Sequence, residues 1–71
     1  MSVTLNPKVA FGKPIIAGTR IAVDFILNLL GSGMEPREIV QEYPQLTKKN
    51  ILEAITYAQK SLSHEEVLTL R

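Results

Sequence analysis

The sequence predicts a mainly α-helical domain of three helices, with a short β-hairpin or extended arm at its N-terminus. Apolar residues recur at three- and four-residue spacing in three stretches of the chain. A Gly-Ser-Gly and a Tyr-Pro separate these stretches, and both are typical of helix ends. The chain before them alternates β-branched pairs with glycine and proline, which is typical of short strands and turns. We therefore expect a helix-turn-helix domain supported by a small N-terminal arm.

The size and composition of the chain limit what it can be. Its 71 residues allow one domain with a marginal core, so a second copy is expected to add buried surface in a homodimer. A hydrophobic content of 45% is too high for a disordered peptide. With no cysteine and one histidine, we expect no disulfide, metal or other cofactor. The net charge of +1 is small, so any affinity for DNA must come from where the charges are placed.

Residues 1–21 are expected to form the arm or hairpin. The stretch 3–5 favours an extended chain, and a short strand is predicted at 9–11. Residues 15–16 form a second β-branched pair, and Gly18 begins a predicted turn. Two strands this short are barely stable alone in water, so they must pack on the helices or pair with another chain.

The first helix is predicted over residues 23–30, VDFILNLL. Phe25 and Leu29 project away from the face expected to cover the helix-turn-helix, so we expect them to form the dimer interface, unless the N-terminal arm folds over them. Gly31 and Gly33 are expected to end the helix by accepting positive φ. The residues expected to cover the helix-turn-helix are Val23, Ile26, Leu27 and Leu30.

The helix-turn-helix is predicted from Glu35 onward, in the sequence EPREIVQEYPQLTKKNILEAITYAQK. Pro36 suits the first turn of a helix, whereas Pro44 cannot continue one, so the second helix should end near Glu42. Thr47 is expected to cap the third helix through its hydroxyl. The apolar residues of this helix that are expected to face the core are Ile51, Leu52, Ile55, Ala58 and Leu62.

The third helix carries the candidate DNA-binding residues. In a helix-turn-helix, the second helix of the motif enters the major groove by its N-terminal residues. Lys48 and Lys49 fall in the first turn, where the helix dipole makes each cation cost about 0.3 to 1 kcal/mol unless a phosphate binds there. Alternatively, the two lysines are merely solvated. The full candidate set is Thr47, Lys48, Lys49, Asn50, Glu53 and Thr56, with the asparagine suited to a two-pronged match to adenine.

The helix-turn-helix domain is expected to span residues 22–63 and to leave residues 64–71 as a C-terminal tail. This tail would be either a fraying helix end or a segment that orders on a partner. No apolar run is long enough to span a bilayer and no signal core is visible, so we expect a cytoplasmic protein. No nucleophile and base occur in one neighbourhood, so we expect neither an enzyme nor a small-molecule substrate.

Two segments, GKPIIAGTRIAV and GSGMEPREIVQEYPQLTKKNILEAITYA, carry a series of short motifs in a fixed order. These are Gly-Lys-Pro at 12–14, an apolar pair at 15–16, Gly-Thr-Arg at 18–20, Gly33, Tyr43 with Pro44, Leu46 with Thr47, and Tyr57 with Ala58. From about residue 6 to residue 58 the chain resembles a family of small bacterial and archaeal proteins known as domain of unknown function 433. These proteins are regarded as similar to VapB-type antitoxins.

The resemblance implies a dimeric helix-turn-helix domain and the antitoxin half of a type II toxin-antitoxin pair, whose toxin resembles a PIN-type ribonuclease. Antitoxins commonly neutralise their toxin with a C-terminal extension, whereas only a short segment follows Ala58 here. We accordingly expect a non-enzymatic regulator that binds duplex DNA through the second helix of the motif and a toxin through the arm or the tail. The alternative is a protein-protein interaction module in which the helix-turn-helix is a scaffold, the apolar first helix is the binding surface, and no DNA is bound.

Overall fold

The computed structural model describes residues 3–5 and 12–69, which form two strands and three helices. In chain order these are β1 (Val3–Leu5), β2 (Pro14–Ile16), α1 (Val23–Gly31), α2 (Pro36–Glu42) and α3 (Lys48–Thr69). The predicted fold is confirmed: three helices follow a two-stranded antiparallel hairpin. The strand predicted at residues 9–11 lies outside the described residues.

The hairpin is joined to α1 by a tight turn. β1 and β2 pair antiparallel, with Val3 opposite Ile16. In the turn after β2, Gly18 has a φ of 80°, which an L-residue with a side chain rarely adopts. The Thr19 hydroxyl donates to the Ile16 carbonyl at 2.8 Å and accepts from the Ile21 amide at 3.0 Å. These bonds hold the turn closed and place the fully buried Ile16 against the start of α1.

α1 ends in a Schellman motif, in which a left-handed residue lets two amides bond back to the helix. Gly33 has a φ of 105°, and its amide donates to the Leu30 carbonyl at 3.0 Å. The Met34 amide donates to the Leu29 carbonyl at 3.1 Å. The positive φ predicted for Gly33 is therefore confirmed. The same prediction for Gly31 was wrong, because that residue is the last one of α1 and has no positive φ.

α2 begins at Pro36 and ends at Glu42, as predicted. At its start the Glu35 amide donates to the Glu38 carboxylate at 2.7 Å, which satisfies one of the amides that a helix start leaves free. At its end Pro44 cannot supply an amide and disfavours helical geometry in the residue before it. The short turn that follows places α3 against the other elements and completes the helix-turn-helix.

The core lies where β2 and the three helices meet. The turn between α2 and α3 contributes through Leu46, which is buried next to Ile51 of the first turns of α3. These two residues flank the Thr47 cap at the spacing of a hydrophobic staple, so the core fixes the direction in which α3 begins. The buried residues of the core are Ile16, Val23, Ile26, Ile39, Leu46, Ile51 and Ala54.

The side of α3 that faces the core differs from the prediction. Ile51 is buried as expected, but Ala54 is buried as well, and Tyr57 packs against the core. Three residues that were predicted to face the core are exposed to solvent instead: Leu52 at 62%, Ile55 at 42% and Leu62 at 62%. α3 has apolar residues around more than half of its circumference, so their spacing alone does not determine which of them α1 and α2 cover.

α3 extends well beyond the core. Its 22 residues correspond to a length of about 33 Å, whereas α1 has 9 residues and α2 has 7. Tyr57 is the last of the described hydrophobic side chains that packs against the core. The segment predicted as a tail is helical as far as Thr69. The C-terminal half of α3 is therefore a projecting helix that starts inside the domain and leaves it.

Candidate nucleic-acid interface at the start of α3

A reciprocal pair of hydrogen bonds caps α3. The Asn50 amide donates to the Thr47 hydroxyl at 3.1 Å, and the Thr47 amide donates to the Asn50 side-chain oxygen at 3.0 Å. This is a capping box in which asparagine occupies the position of the more common glutamate. The first turn of α3 is thus rigidly defined by residues that were predicted to meet DNA.

The two lysines of the first turn are both exposed but lie on different sides of α3. Lys49 lies on the polar face of α3, which we define as Lys49, Glu53, Thr56 and Lys60. Lys48 instead borders a groove of about 280 Å³ between the starts of α2 and α3, which is also lined by Pro36, Ile51 and Leu52. Lys49 is therefore the lysine that shares a surface with the other predicted DNA contacts.

The side chain of Asn50 is occupied at both ends. Its oxygen accepts from the Thr47 amide, and its nitrogen donates to the Glu53 carboxylate at 3.3 Å. Bidentate hydrogen bonding to adenine needs both the oxygen and the nitrogen of the asparagine side chain. Asn50 would have to give up both bonds to read a base, whereas Thr56 has an exposed position on the polar face.

The charges around the first turn of α3 favour an anion. In the part of the chain that the structure describes, ion pairs form between Lys13 and Asp24 at 2.9 Å and between Arg37 and Glu35 at 3.3 Å, but none forms at Lys48 or Lys49. The first turn of α3 also contains no acidic residue. Free amides, the helix dipole and two ammonium groups that form no ion pair with the described residues therefore act together at this end of the helix.

The two residues predicted for the dimer interface have different surroundings. The Phe25 ring is 39% exposed and makes an edge-to-face contact with the Tyr43 ring, with centroids 5.4 Å apart. Leu29 packs against the core, which fits its place in the Schellman motif beside Met34. The surface that α1 offers to a second copy is thus smaller than the sequence predicted.

An exposed apolar surface on α3 was not predicted from the sequence. Leu52, Ile55 and Leu62, with Gln59 between them, follow one another at intervals of three, four and three residues. We call these four residues the apolar stripe of α3. The spacing is the a and d pattern of a coiled coil, which can be read from the sequence. It was not recognised there because the same helix also carries the apolar residues that face the core, and the two patterns overlap.

Several motif residues of the N-terminal half have structural roles. Gly12 and Gly18 both have positive φ, and Thr19 closes the turn after β2.

A family model described as DUF433, a protein of unknown function, matches residues 3–58. The chain belongs to the DUF433 family. The family match ends within α3, immediately after Tyr57, so the projecting half of the helix lies outside it.

A solved DUF433 structure has the same fold. It is the crystal structure of a DUF433 member protein from Anabaena variabilis ATCC 29413, which matches with a TM-score of 0.81 and 25% sequence identity. The match covers 89% of this chain and 62% of that one, so this chain spans less than two thirds of the length of that protein. No curated protein matches the chain.

The family description states no function, so the match to the DUF433 family establishes the fold and the membership alone. Within the residues that the structure describes, no helix is both long enough and apolar enough to cross a membrane.

Proposed function

We propose that this DUF433 chain is a non-enzymatic, DNA-binding regulator of the antitoxin type, with the N-terminal half of α3 as its recognition helix. The observation that carries the proposal is the pair of exposed lysines, Lys48 and Lys49, in a first turn without acidic residues. Each cation at this position costs about 0.3 to 1 kcal/mol of helix stability, and a bound phosphate reverses the sign of that cost.

Binding would begin with the phosphate backbone. Lys49 and the free amides of the first turn contact phosphates, which position α3 without reading sequence. Thr56 and Glu53, further along the polar face, then reach base edges, where a carboxylate accepts from cytosine and a hydroxyl can pair with any base. Asn50 contributes mainly by holding the first turn in place, because its side chain is already bonded to Thr47 and Glu53.

The antitoxin part of the proposal concerns a second partner. A PIN-type ribonuclease toxin would be held by the N-terminal arm or by the projecting half of α3, where Leu62 is 62% exposed and available to another protein. Such a regulator acts in the cytoplasm, needs no cofactor and has no small-molecule substrate. A neighbouring reading frame that encodes a small nuclease would support this part of the proposal.

A salt titration of DNA binding tests the proposal. The Lys48→Ala, Lys49→Ala double variant should bind all duplex sequences more weakly, including the promoter of the protein's own gene. The slope of log affinity against log salt should fall by about 0.9 for each phosphate that the variant no longer neutralises. Lys13→Ala is the matched control, because it also removes one exposed lysine but lies away from α3, paired with Asp24.

The competing function is a protein-interaction module that binds no DNA, and the exposed apolar stripe of α3 favours it. In that case the double lysine variant leaves the salt slope unchanged. It also gains about 0.6 to 2 kcal/mol of stability, because two cations have been removed from the positive end of the helix. Thermal melts run beside the titration separate the two functions.

A further inference from the structure

The apolar stripe of α3 has the form of a helix-helix contact. Leu52 and Ile55 lie beside the core but face solvent, and Leu62 lies beyond it. Together with Gln59 they occupy successive a and d positions over about ten residues of one helix. Side chains at these positions cover a narrow seam, and a seam of this width fits one partner helix rather than a broad surface.

The first turn of α3 carries charges that the dipole of the helix disfavours. Lys48 and Lys49 lie there without an acidic residue, and no described residue of the last turn is basic. Cations at the positive end of the dipole are unfavourable in an isolated helix. A second α3 running in the opposite direction would place the negative end of its dipole beside Lys48.

We propose that a second copy of this chain packs its α3 antiparallel against the first along the apolar stripe, with the two-fold axis beside residue 57. In this register Leu52 lies opposite Leu62 of the second copy, five residues from the axis on either side. Ile55 lies opposite Gln59, and Lys48 lies opposite position 66, about one turn from the C-terminal end of the described helix. Each a position thus meets a d position, and at both ends of the seam Lys48 meets the negative end of the partner helix.

The register is set by these pairs. A shift by one heptad in one direction moves Leu52 away from Leu62 to position 69, the last described residue of the helix, and a shift in the other direction leaves Leu62 without a helical partner. A parallel pair would put Lys48 beside Lys48 of the second copy, where like charges repel. Both directions cover the three exposed apolar residues, but the antiparallel arrangement keeps the two Lys48 side chains apart and places each beside the negative end of the partner helix.

The interface can be tested apart from DNA binding. Lys48, which borders the groove beside Pro36, belongs to both the seam and the proposed DNA contact, whereas Lys49 and the rest of the polar face stay uncovered. Association is measured without nucleic acid, so its failure and the failure of DNA binding are separate results.

Sedimentation equilibrium at micromolar concentration tests the interface. The wild-type chain should show twice the chain mass, and Leu62→Glu should weaken association at least tenfold without unfolding the core, because Leu62 lies beyond it. Ser61→Glu is the matched control, since it introduces the same side chain at the neighbouring exposed position off the stripe. Gln59→Leu should tighten the dimer, because the two places where Gln59 lies opposite Ile55 of the second copy would then be entirely apolar.

A charge reversal tests the pairing of the helix ends. Lys48→Glu should weaken the dimer, because it places a carboxylate beside the negative end of the partner helix. A monomeric wild type, a dimer that survives Leu62→Glu, or a dimer that Lys48→Glu leaves unchanged would each overturn the proposal. Loss of the dimer with Phe25→Glu but not with Leu62→Glu would also overturn it, in favour of the α1 interface predicted from the sequence.

A spin label tests the direction of the two helices. The chain has no cysteine, so Lys49→Cys introduces a single labelling site. Two labels should lie about 24 Å apart along the axis of an antiparallel pair centred on residue 57, given a rise of 1.5 Å per residue. In a parallel pair they would lie only about 8 to 10 Å apart, which is the usual distance between packed helices, and that result would contradict the proposal.

Discussion

Thr47 and Asn50 determine how α3 begins. Each backbone amide of the pair donates to the side chain of the other residue, at 3.0 and 3.1 Å. At a helix start these amides have no backbone partner, so the two side chains replace bonds that water would otherwise supply. Any DNA contact made by Lys49 depends on this cap, because the lysine is the second residue of the turn that it fixes.

Removing the cap should lower the stability of the whole domain. Thr47→Ala is expected to cost about 0.5 to 2 kcal/mol, and Asn50→Ala a similar amount, because each leaves an amide without its partner. The double variant should be destabilised by less than the sum of the two costs, since both substitutions break the same reciprocal pair. Urea denaturation measures each cost, and Thr56→Ala is the control, with the same change of side chain at an exposed position. Fully additive costs would show that the two bonds act independently.

Two glycines near the end of α1 should respond in opposite ways to alanine. A methyl group at either Gly31 or Gly33 would meet nothing within 4 Å, so space does not distinguish them. Gly31 is helical, so Gly31→Ala should stabilise the domain by about 0.4 to 1 kcal/mol. Gly33 has a φ of 105°, so Gly33→Ala should destabilise it by about 1 to 3 kcal/mol. Equal signs in urea denaturation would contradict this interpretation of the turn.

Residue-scale features were the most predictable from sequence. The limits of α2 follow from Pro36 and Pro44, and the cap follows from Thr47, because each depends on rules that act within one helical turn. The error at Gly31 has a local cause as well. A Schellman motif needs one left-handed residue, and the sequence Gly-Ser-Gly offers two.

At the scale of elements, the existence of each helix was predictable, but the side that α3 buries was not. Ile51 and Ala54 belong to one helical face, and Leu52 and Ile55 belong to the next. Both sets have helical spacing, so choosing between them requires knowing where α1 and α2 pack. The same limit affected the dimer interface, since Leu29 was predicted to lie on an exposed face and instead packs against the core.

The two halves of α3 should differ in local stability when the chain is a monomer. Ile51, Ala54 and Tyr57 pack against the core, whereas the helix beyond residue 58 has no described hydrophobic contact with it. In the Leu62→Glu variant, amide exchange over residues 59–69 should therefore be much faster than over residues 50–58. In the wild-type dimer the second copy should slow exchange in that segment. Equal protection in the variant and the wild type would show that the projecting helix needs no partner.

At the scale of the whole molecule, the proposed dimer and the proposed DNA contact are geometrically compatible. At 3.6 residues per turn, the polar face and the apolar stripe lie about 100° apart around α3. In an antiparallel pair the two polar faces therefore point to the same side, opposite the two cores. The first turns of the two helices lie about 27 Å apart along their axes, which is somewhat less than the roughly 34 Å between successive major grooves on one side of DNA.

The last prediction joins the two proposals through the dependence of DNA binding on salt. A symmetric dimer contacts phosphates twice, so the slope of log affinity against log salt should be about halved when Leu62→Glu makes the protein a monomer. Lys49→Ala should lower the slope by about 1.8 in the dimer and by about 0.9 in the Leu62→Glu background, because each copy contributes one contact. Filter-binding titrations on one duplex, with Ser61→Glu as the dimeric control, give all four slopes. A slope that Leu62→Glu leaves unchanged would mean that one copy alone contacts DNA, whereas a slope unaffected by Lys49→Ala in both backgrounds would place the phosphate contacts away from the first turn of α3.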